Sequence, residues 1–267
     1  MKKKKAAALR LICLLLATTI CCVTVFLLSC DKDDTPSSSS EISSESLSAA
    51  RTKIAAFAKE KKLDPKDYPT ELVELLAVNP DAENFVLNYP LLKDSSPVID
   101  LTEHKNSRFV PLFFQWDERW GYREYAGELF GLSGCGPTCL SMVCVFLLGD
   151  TRLNPKFIAE FSKSHGYCVD GNGSSWELIS KGGRRLGLDV IEIPLDENRM
   201  IRNLEVGNPI ICVMGPGDFT SSGHFIVITD YEDGKFKIND PNSAARSERT
   251  WEYSQIKDQI KNLWVCR

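Results

Sequence analysis

Histidine is scarce in this chain: His104, His165 and His224 are the only three among 267 residues. Ten cysteines are present, yet no two are spaced Cys-x-x-Cys. Tetrahedral zinc sites draw on closely spaced thiolates and imidazoles, so this composition argues against a zinc centre, and no cofactor is implied. No internal repeat occurs. Acidic residues are missing from the first thirty positions, which hold Lys2, Lys3, Lys4, Lys5 and Arg10. Without that stretch the chain has 27 basic residues against 36 acidic ones, a net charge of -9 where the whole has -4. A nucleic-acid partner would call for a basic face, and none is foreseen. The hydrophobic fraction of 43% suits a globular protein with a substantial core.

The lysines precede an apolar run from Leu11 to Ser29. At about 1.5 Å per residue it is just long enough to span a bilayer. It ends in "FLLSC", which resembles a bacterial lipoprotein box: Leu27, two further residues, then Cys30. The resemblance implies cleavage before Cys30 and lipidation of its thiol. An uncleaved single-pass anchor is the other reading. Lysines on the cytoplasmic side put the bulk of the chain outside in both cases. Residues 1–30 therefore read as a lipoprotein-type signal or membrane anchor, and the Ser-rich 31–43 as a flexible linker. A small helical lead-in (44–107) and a main domain (108–267) follow. The expectation is an extracytoplasmic, membrane-attached monomer.

In the lead-in, Leu47, Ile54, Phe57 and Ala58 fall on one helical face. "TELVELLAV" predicts a second helix with Thr70 as N-cap and Leu72, Leu75 and Leu76 inward; Asn79-Pro80 opens a third. Helices that covered a cleft would inhibit it, and the sequence leaves that open. From about Arg108 the pattern mixes helix and strand. Residues 137–148 are apolar almost all round, as in a buried helix. Asn154-Pro155 opens another, Ser174 and Glu177 have capping-box spacing, and Asp196 caps a helix ending at Gly207. "LDVIEIPL", "PIICVMG", "HFIVITDY", "KFKIND" and "LWVCR" read as strands, with a late helix in "EYSQIKDQIK". Glu232-Asp233-Gly234 makes a hairpin between two of them. Helices followed by an antiparallel sheet give an α+β class.

Within "GLSGCGPTCLSMV", Cys135 stands at the start of a helix between two glycines. A free thiol titrates at about 8.5, and the positive end of a helix lowers that value. Pro137 is tolerated in the first turn, and Gly134 and Gly136 would leave open space around the sulfur. Cys139 and Cys144 lie deeper in the apolar run, as packing residues. If Cys135 is a free nucleophile, five body cysteines remain, so a complete disulfide framework is excluded; a single bridge involving Cys168 or Cys266 stays open. A thiol nucleophile needs a base. His224 opens a strand, whereas His104 and His165 lie in polar or surface segments. Antiparallel pairing returns Asp240, at the end of the next strand, to the neighbourhood of His224, where it could orient the ring. Asn239 points to the other face, and Asp230 is at the wrong end of the hairpin. The N–H of Cys135 and the amide of Gln115, in "VPLFFQWDERWG", could hold an oxyanion.

Taken together, "FFQWDERWG", "SGCGPTCLSMV" and "GHFIVITDYEDGKFKINDPNS" resemble the C39-like peptidases, a branch of the papain-like cysteine peptidases, over roughly residues 108–266. The resemblance implies a papain-like fold with the nucleophile at the N-terminus of a buried helix packed on an antiparallel sheet. It implies a peptide or protein substrate, Cys135 as nucleophile, His224 as general base and acid, Asp240 as its orienter and Gln115 in the oxyanion hole. The best-known members are domains of peptide exporters that cut after a double glycine. Here a P-loop and a multi-span region are lacking, so that specificity does not carry over. A catalytically silent binding module, and a cell-wall amidase or transpeptidase using the same residues, are the competing readings.

Overall fold

A computed structural model describes residues 42–267. The leader, Cys30 and nearly all of the linker lie outside the described residues. Among the described residues, no helix is long and apolar enough to cross a membrane.

Helix α1 (Ser44–Lys61) starts where Ser43 Oγ accepts from the N–H of Ser46 at 3.0 Å. It stops where Lys62 adopts a left-handed conformation, burying Ala50, Ile54 and Ala58. Leu47 and Phe57, expected on the same face, are half-buried. Helix α2 (Thr70–Val78) buries Leu72, Leu75 and Leu76. Its cap is Pro69, not Thr70: the extended backbone of Pro69 starts the helix one residue early and makes Thr70 the first helical residue. The Asn79 side chain accepts from Asp81 N at 3.2 Å and opens a 3₁₀ turn, Pro80–Ala82, leading into helix α3 (Glu83–Leu87). Phe85 of α3 stacks on Tyr122, with centroids 4.5 Å apart, and Tyr122 Oη donates to Phe85 O at 2.8 Å. A Cβ on Gly121 or Gly131 would fall 2.7 or 2.5 Å from the Phe85 ring, so glycine alone permits this approach. The lead-in thus shares its apolar core with the segment that enters the helix of Cys135.

That helix, α4 (Cys135–Leu148), is buried from Gly136 to Val145 and ends at Gly149 in the left-handed conformation (φ 64°). It packs on helix α5 (Pro155–Ser164), capped by Asn154, and on one face of a six-stranded antiparallel sheet. The strands are β1 (Val190–Glu192), β2 (Ile210–Met214), β3 (His224–Glu232), β4 (Lys235–Asn239), β5 (Thr250–Trp251) and β6 (Ile260–Cys266), ordered β1-β6-β2-β3-β4-β5. Alternation divides two cores. Ile211, Val213, Phe225 and Val227 meet Leu140 and Val143 on the α4 side. Ile210, Cys212, Ile226 and Ile228 meet Met200, Phe236 and Trp251 on the other. The β3–β4 hairpin turns at Asp233 and Gly234, both at positive φ, as a two-residue turn of this kind requires.

The region around Ser174 departs from the expected capping box. Ser174 lies in a two-residue strand, Gly173–Ser174, paired with Cys168–Val169. Its hydroxyl is drawn into a buried pair of bonds in which Tyr125 Oη joins Ser174 Oγ (2.7 Å) and Ser162 Oγ (2.8 Å). Ser175 instead accepts from Glu177 N at 3.2 Å, ahead of a π-helical turn at Leu178–Gly182. The late helix is cut to Tyr253–Ile256.

Because one apolar core joins the lead-in to the segment before α4, the two should unfold together. We expect Phe85→Ala to lower the unfolding free energy by about 3–5 kcal/mol. Urea denaturation followed by tryptophan fluorescence and by far-ultraviolet dichroism should give coincident single transitions. Two separated transitions would contradict the shared core.

Candidate active site

Cys135 is the first residue of α4, where backbone N–H groups have no intrahelical acceptor and the helix presents positive partial charge. It is partly exposed. The flanking glycines are a matter of close packing, not of open space as the sequence suggested. A Cβ on Gly134 would fall 2.6 Å from the Phe130 ring, and one on Gly136 2.7 Å from Ser174 Oγ. These contacts set the turn that opens α4 against Phe130 and against Ser174 of the 168–174 ribbon.

His224 begins β3, paired with Met214 of β2, and is 7% exposed. Its Nε2 lies 2.8 Å from Asp240 Oδ1, and Cys135 is close enough to perturb the charge of the ring. Burial alone would push the imidazole toward neutrality; the Asp240 charge and hydrogen bond outweigh this, helped by Cys135, and raise its pKa to about 10. Burial likewise opposes ionisation of Cys135. The hydrogen bond and charge of His224, with the N–H groups of Phe225 and Gly136, prevail and hold the thiol below its usual value. The two shifts are coupled, each group favouring the charged form of the other.

Asp240 follows the last residue of β4 and is 0% exposed. Burial would raise its pKa, but His224 and Arg246 together lower it. Oδ1 accepts from His224 and from the backbone N–H of Asn242 (2.7 Å), and Oδ2 from Arg246 Nε (2.5 Å). Its own N–H donates to Ser247 Oγ at 2.9 Å. Arg246 and Ser247 belong to a short helix, α6 (Ala244–Glu248), that the sequence does not foresee. Neither residue was picked out from sequence. The sole signal was a serine and an arginine shortly after an Asp-Pro turn, which is too common to single out.

Gln115 is 3% exposed and braces two parts of the site. Its backbone N–H donates to Pro241 O at 2.8 Å, beside Asp240. Its Nε2 donates to the carbonyls of Gly131 (2.9 Å) and Leu132 (3.2 Å), just before Cys135. Oε1 is buried without a hydrogen-bond partner. The remaining sequence candidates lie elsewhere. Asn239 donates to Val110 O and Pro111 O, each at 3.1 Å, and Asp230 accepts from Tyr231 N. His104 packs edge-on to Phe113, and the exposed His165 bonds Phe161 O. All six body cysteines are free thiols, so the bridge left open for Cys168 or Cys266 is not formed. Burial raises the pKa of Cys139, Cys144, Cys212 and Cys266. Among the described residues, no group of three or more His, Cys, Asp or Glu side chains could hold a metal ion.

With this geometry in view, the chain was compared with known proteins. The sequence profile of the Peptidase_C39 like family matches residues 108–266, more than half of the chain. No curated protein matches. Two solved structures are similar to it. One is the peptidase domain of Streptococcus ComA, a bi-functional ABC transporter involved in a quorum-sensing pathway. It is 18% identical, with 50% of this chain and 89% of that chain covered and a TM-score of 0.40. The other is described as a C39-like peptidase from Bacillus anthracis, 14% identical, with 59% of this chain and 94% of that chain covered and a TM-score of 0.42.

Two outcomes follow from the charges. Iodoacetamide at pH 6 should alkylate Cys135 well ahead of the half-buried Cys168, and His224→Ala should remove that selectivity; mass-spectrometric readout of each thiol checks it. The second concerns acid stability. Asp240 has a depressed folded pKa, so its contribution is present above the unfolded value of about 3.9 and is lost as pH falls through the folded value. Arg246→Met removes one lowering cause and raises the folded value. The acid-unfolding midpoint should therefore move to higher pH; an unchanged midpoint would show that Arg246 does not hold the carboxylate.

Proposed function

We propose that this chain, which belongs to the Peptidase_C39 like family, is an active thiol peptidase using Cys135, His224 and Asp240. The observation that carries this reading is the buried 2.8 Å bond from His224 Nε2 to Asp240, on a ring whose charge lowers the pKa of the Cys135 thiol. In the proposed reaction the Cys135 thiolate attacks a peptide carbonyl carbon and a C–S bond forms. His224 gives its proton to the amine nitrogen as the C–N bond breaks. Water, losing a proton to His224, then hydrolyses the thioester and returns the thiol.

The developing oxyanion needs donors at the position it will occupy. The N–H of Cys135 is one, and Gln115 Nε2 is proposed as the second. Both Gly131 O and Leu132 O now lie within reach of that nitrogen, so the role asks that one N–H turn from a carbonyl to the oxyanion. The fold proposed is papain-like. The supporting features are a nucleophile at the start of a buried helix, and a base and its orienter on neighbouring antiparallel strands. An extracytoplasmic attachment through Cys30 or an uncleaved span is part of the proposal and rests on the leader sequence alone.

Incubating the chain with a fluorogenic peptide library tests the reading. Cys135→Ala should abolish cleavage, and Gln115→Ala should lower kcat by roughly 10²- to 10³-fold with little change in KM. Cleavage that survives Cys135→Ala would end the peptidase reading. Binding of peptide without turnover in the unaltered chain would favour a silent module. Product linked to an added amine, in place of free acid, would point to a transpeptidase.

A further inference from the structure

The family match begins at residue 108, yet the turn that carries Asp240 is held from residues 79 to 81. Asn79 is 7% exposed, and its Nδ2 donates to Asn242 O (2.5 Å) and lies 3.2 Å from Asn242 Oδ1. Asp81 Oδ2 accepts from the N–H groups of Ala244 (2.9 Å) and Ala245 (3.4 Å). These two bonds fix the start of the Ala244–Glu248 helix, and an acidic group is well placed there to balance its positive end. Asn79 and Asp81 therefore grip the chain on both sides of Ser243. The gripped segment supplies two of the three partners of the Asp240 carboxylate, the Asn242 N–H and the Arg246 guanidinium. Trp116 Nε1 also donates to Asn242 O, at 3.2 Å. Among the described residues, no hydrogen bond runs from the lead-in to Cys135 or His224.

We infer that Asn79 and Asp81 are positioning residues: from outside the family-matched segment, they hold the Asn242–Ala245 turn that directs Asp240 at His224. The inference rests on the peptidase reading of Cys135, His224 and Asp240. It assigns the lead-in a supporting role, where the sequence left an inhibitory one open. Asp240 has no water to reorient it, so its direction is set by the backbone from which it projects and by the groups around it. Loosening the turn lets the carboxylate swing, weakens its bond to His224 and reduces the thiolate–imidazolium population.

The test uses the full chain with Asp81→Ala, Asn79→Ala and Asp81→Asn, the last keeping an acceptor oxygen. Deuterium uptake over residues 240–249 reads the turn directly. Iodoacetamide alkylation of Cys135 between pH 5 and 10 reads the pair. Both alanine variants should speed exchange over 240–249 and slow Cys135 alkylation at pH 6 by roughly three- to tenfold, a shift of up to one pK unit. Asp81→Asn should stay within about twofold of the unaltered chain in both readouts. Exchange that is unchanged in the alanine variants, or faster exchange with an unaltered alkylation profile, would overturn the inference while leaving the peptidase reading intact. If Cys135 of the unaltered chain reacts no faster than Cys168 at pH 6, the peptidase reading falls and the positioning role falls with it.

Discussion

A carboxylate with no access to water must find its partners inside the protein, and Asp240 does so. His224, the Asn242 N–H and Arg246 surround it, and each comes from a different structural commitment. Leaving such a charge unpaired would cost several kcal/mol, so the strand, the turn and the short helix are bound to one another through it. The same charge raises the pKa of the imidazole, and the charged imidazole lowers that of the thiol. Remove the carboxylate from this chain of causes and α4 still offers its positive end to Cys135, but only Cys135 is left to offset the burial of His224.

Arg246 works on the carboxylate in two directions. By keeping Asp240 ionised it secures the partner that His224 needs. By drawing on Oδ2 it also shares the negative charge, so the imidazolium feels less than a whole carboxylate.

What could be read from sequence follows from how local each determinant is. The strands and the hairpin carry period-two alternation and a turn at Asp233-Gly234, so the pairing of β3 with β4, and with it the proximity of Asp240 to His224, is legible. Cys135 was legible because a helix start, a proline and two glycines adjoin it, although the reason for the glycines was not. Their constraint comes from Phe130 and Ser174, and the second of these is 38 residues further along the chain. Thr70 and the Ser174/Glu177 pair matched local capping rules and lost to a proline backbone and to a buried tyrosine hydroxyl. Arg246 follows an Asp-Pro turn too common to single it out, and the contacts of Asn79 and Asp81 are invisible, since a bond spanning 163 residues leaves no periodic trace.

The sheet order adds a consequence for how the molecule comes into being. Strand β6, Ile260–Cys266, lies between β1 and β2, which are not neighbours without it. A nascent chain that has emerged only as far as Gln259 therefore has a gap in the middle of its sheet, with β2 lacking a partner on one side. Such non-local closure is slow relative to helix formation. The helices of the lead-in and α4 can consolidate early, but the strand that backs β2, and through it the start of β3 where His224 sits, is made after the other five strands of the sheet. Until Ile260–Cys266 has been made, Cys135 therefore belongs to a chain whose sheet is incomplete beside the strand that carries His224.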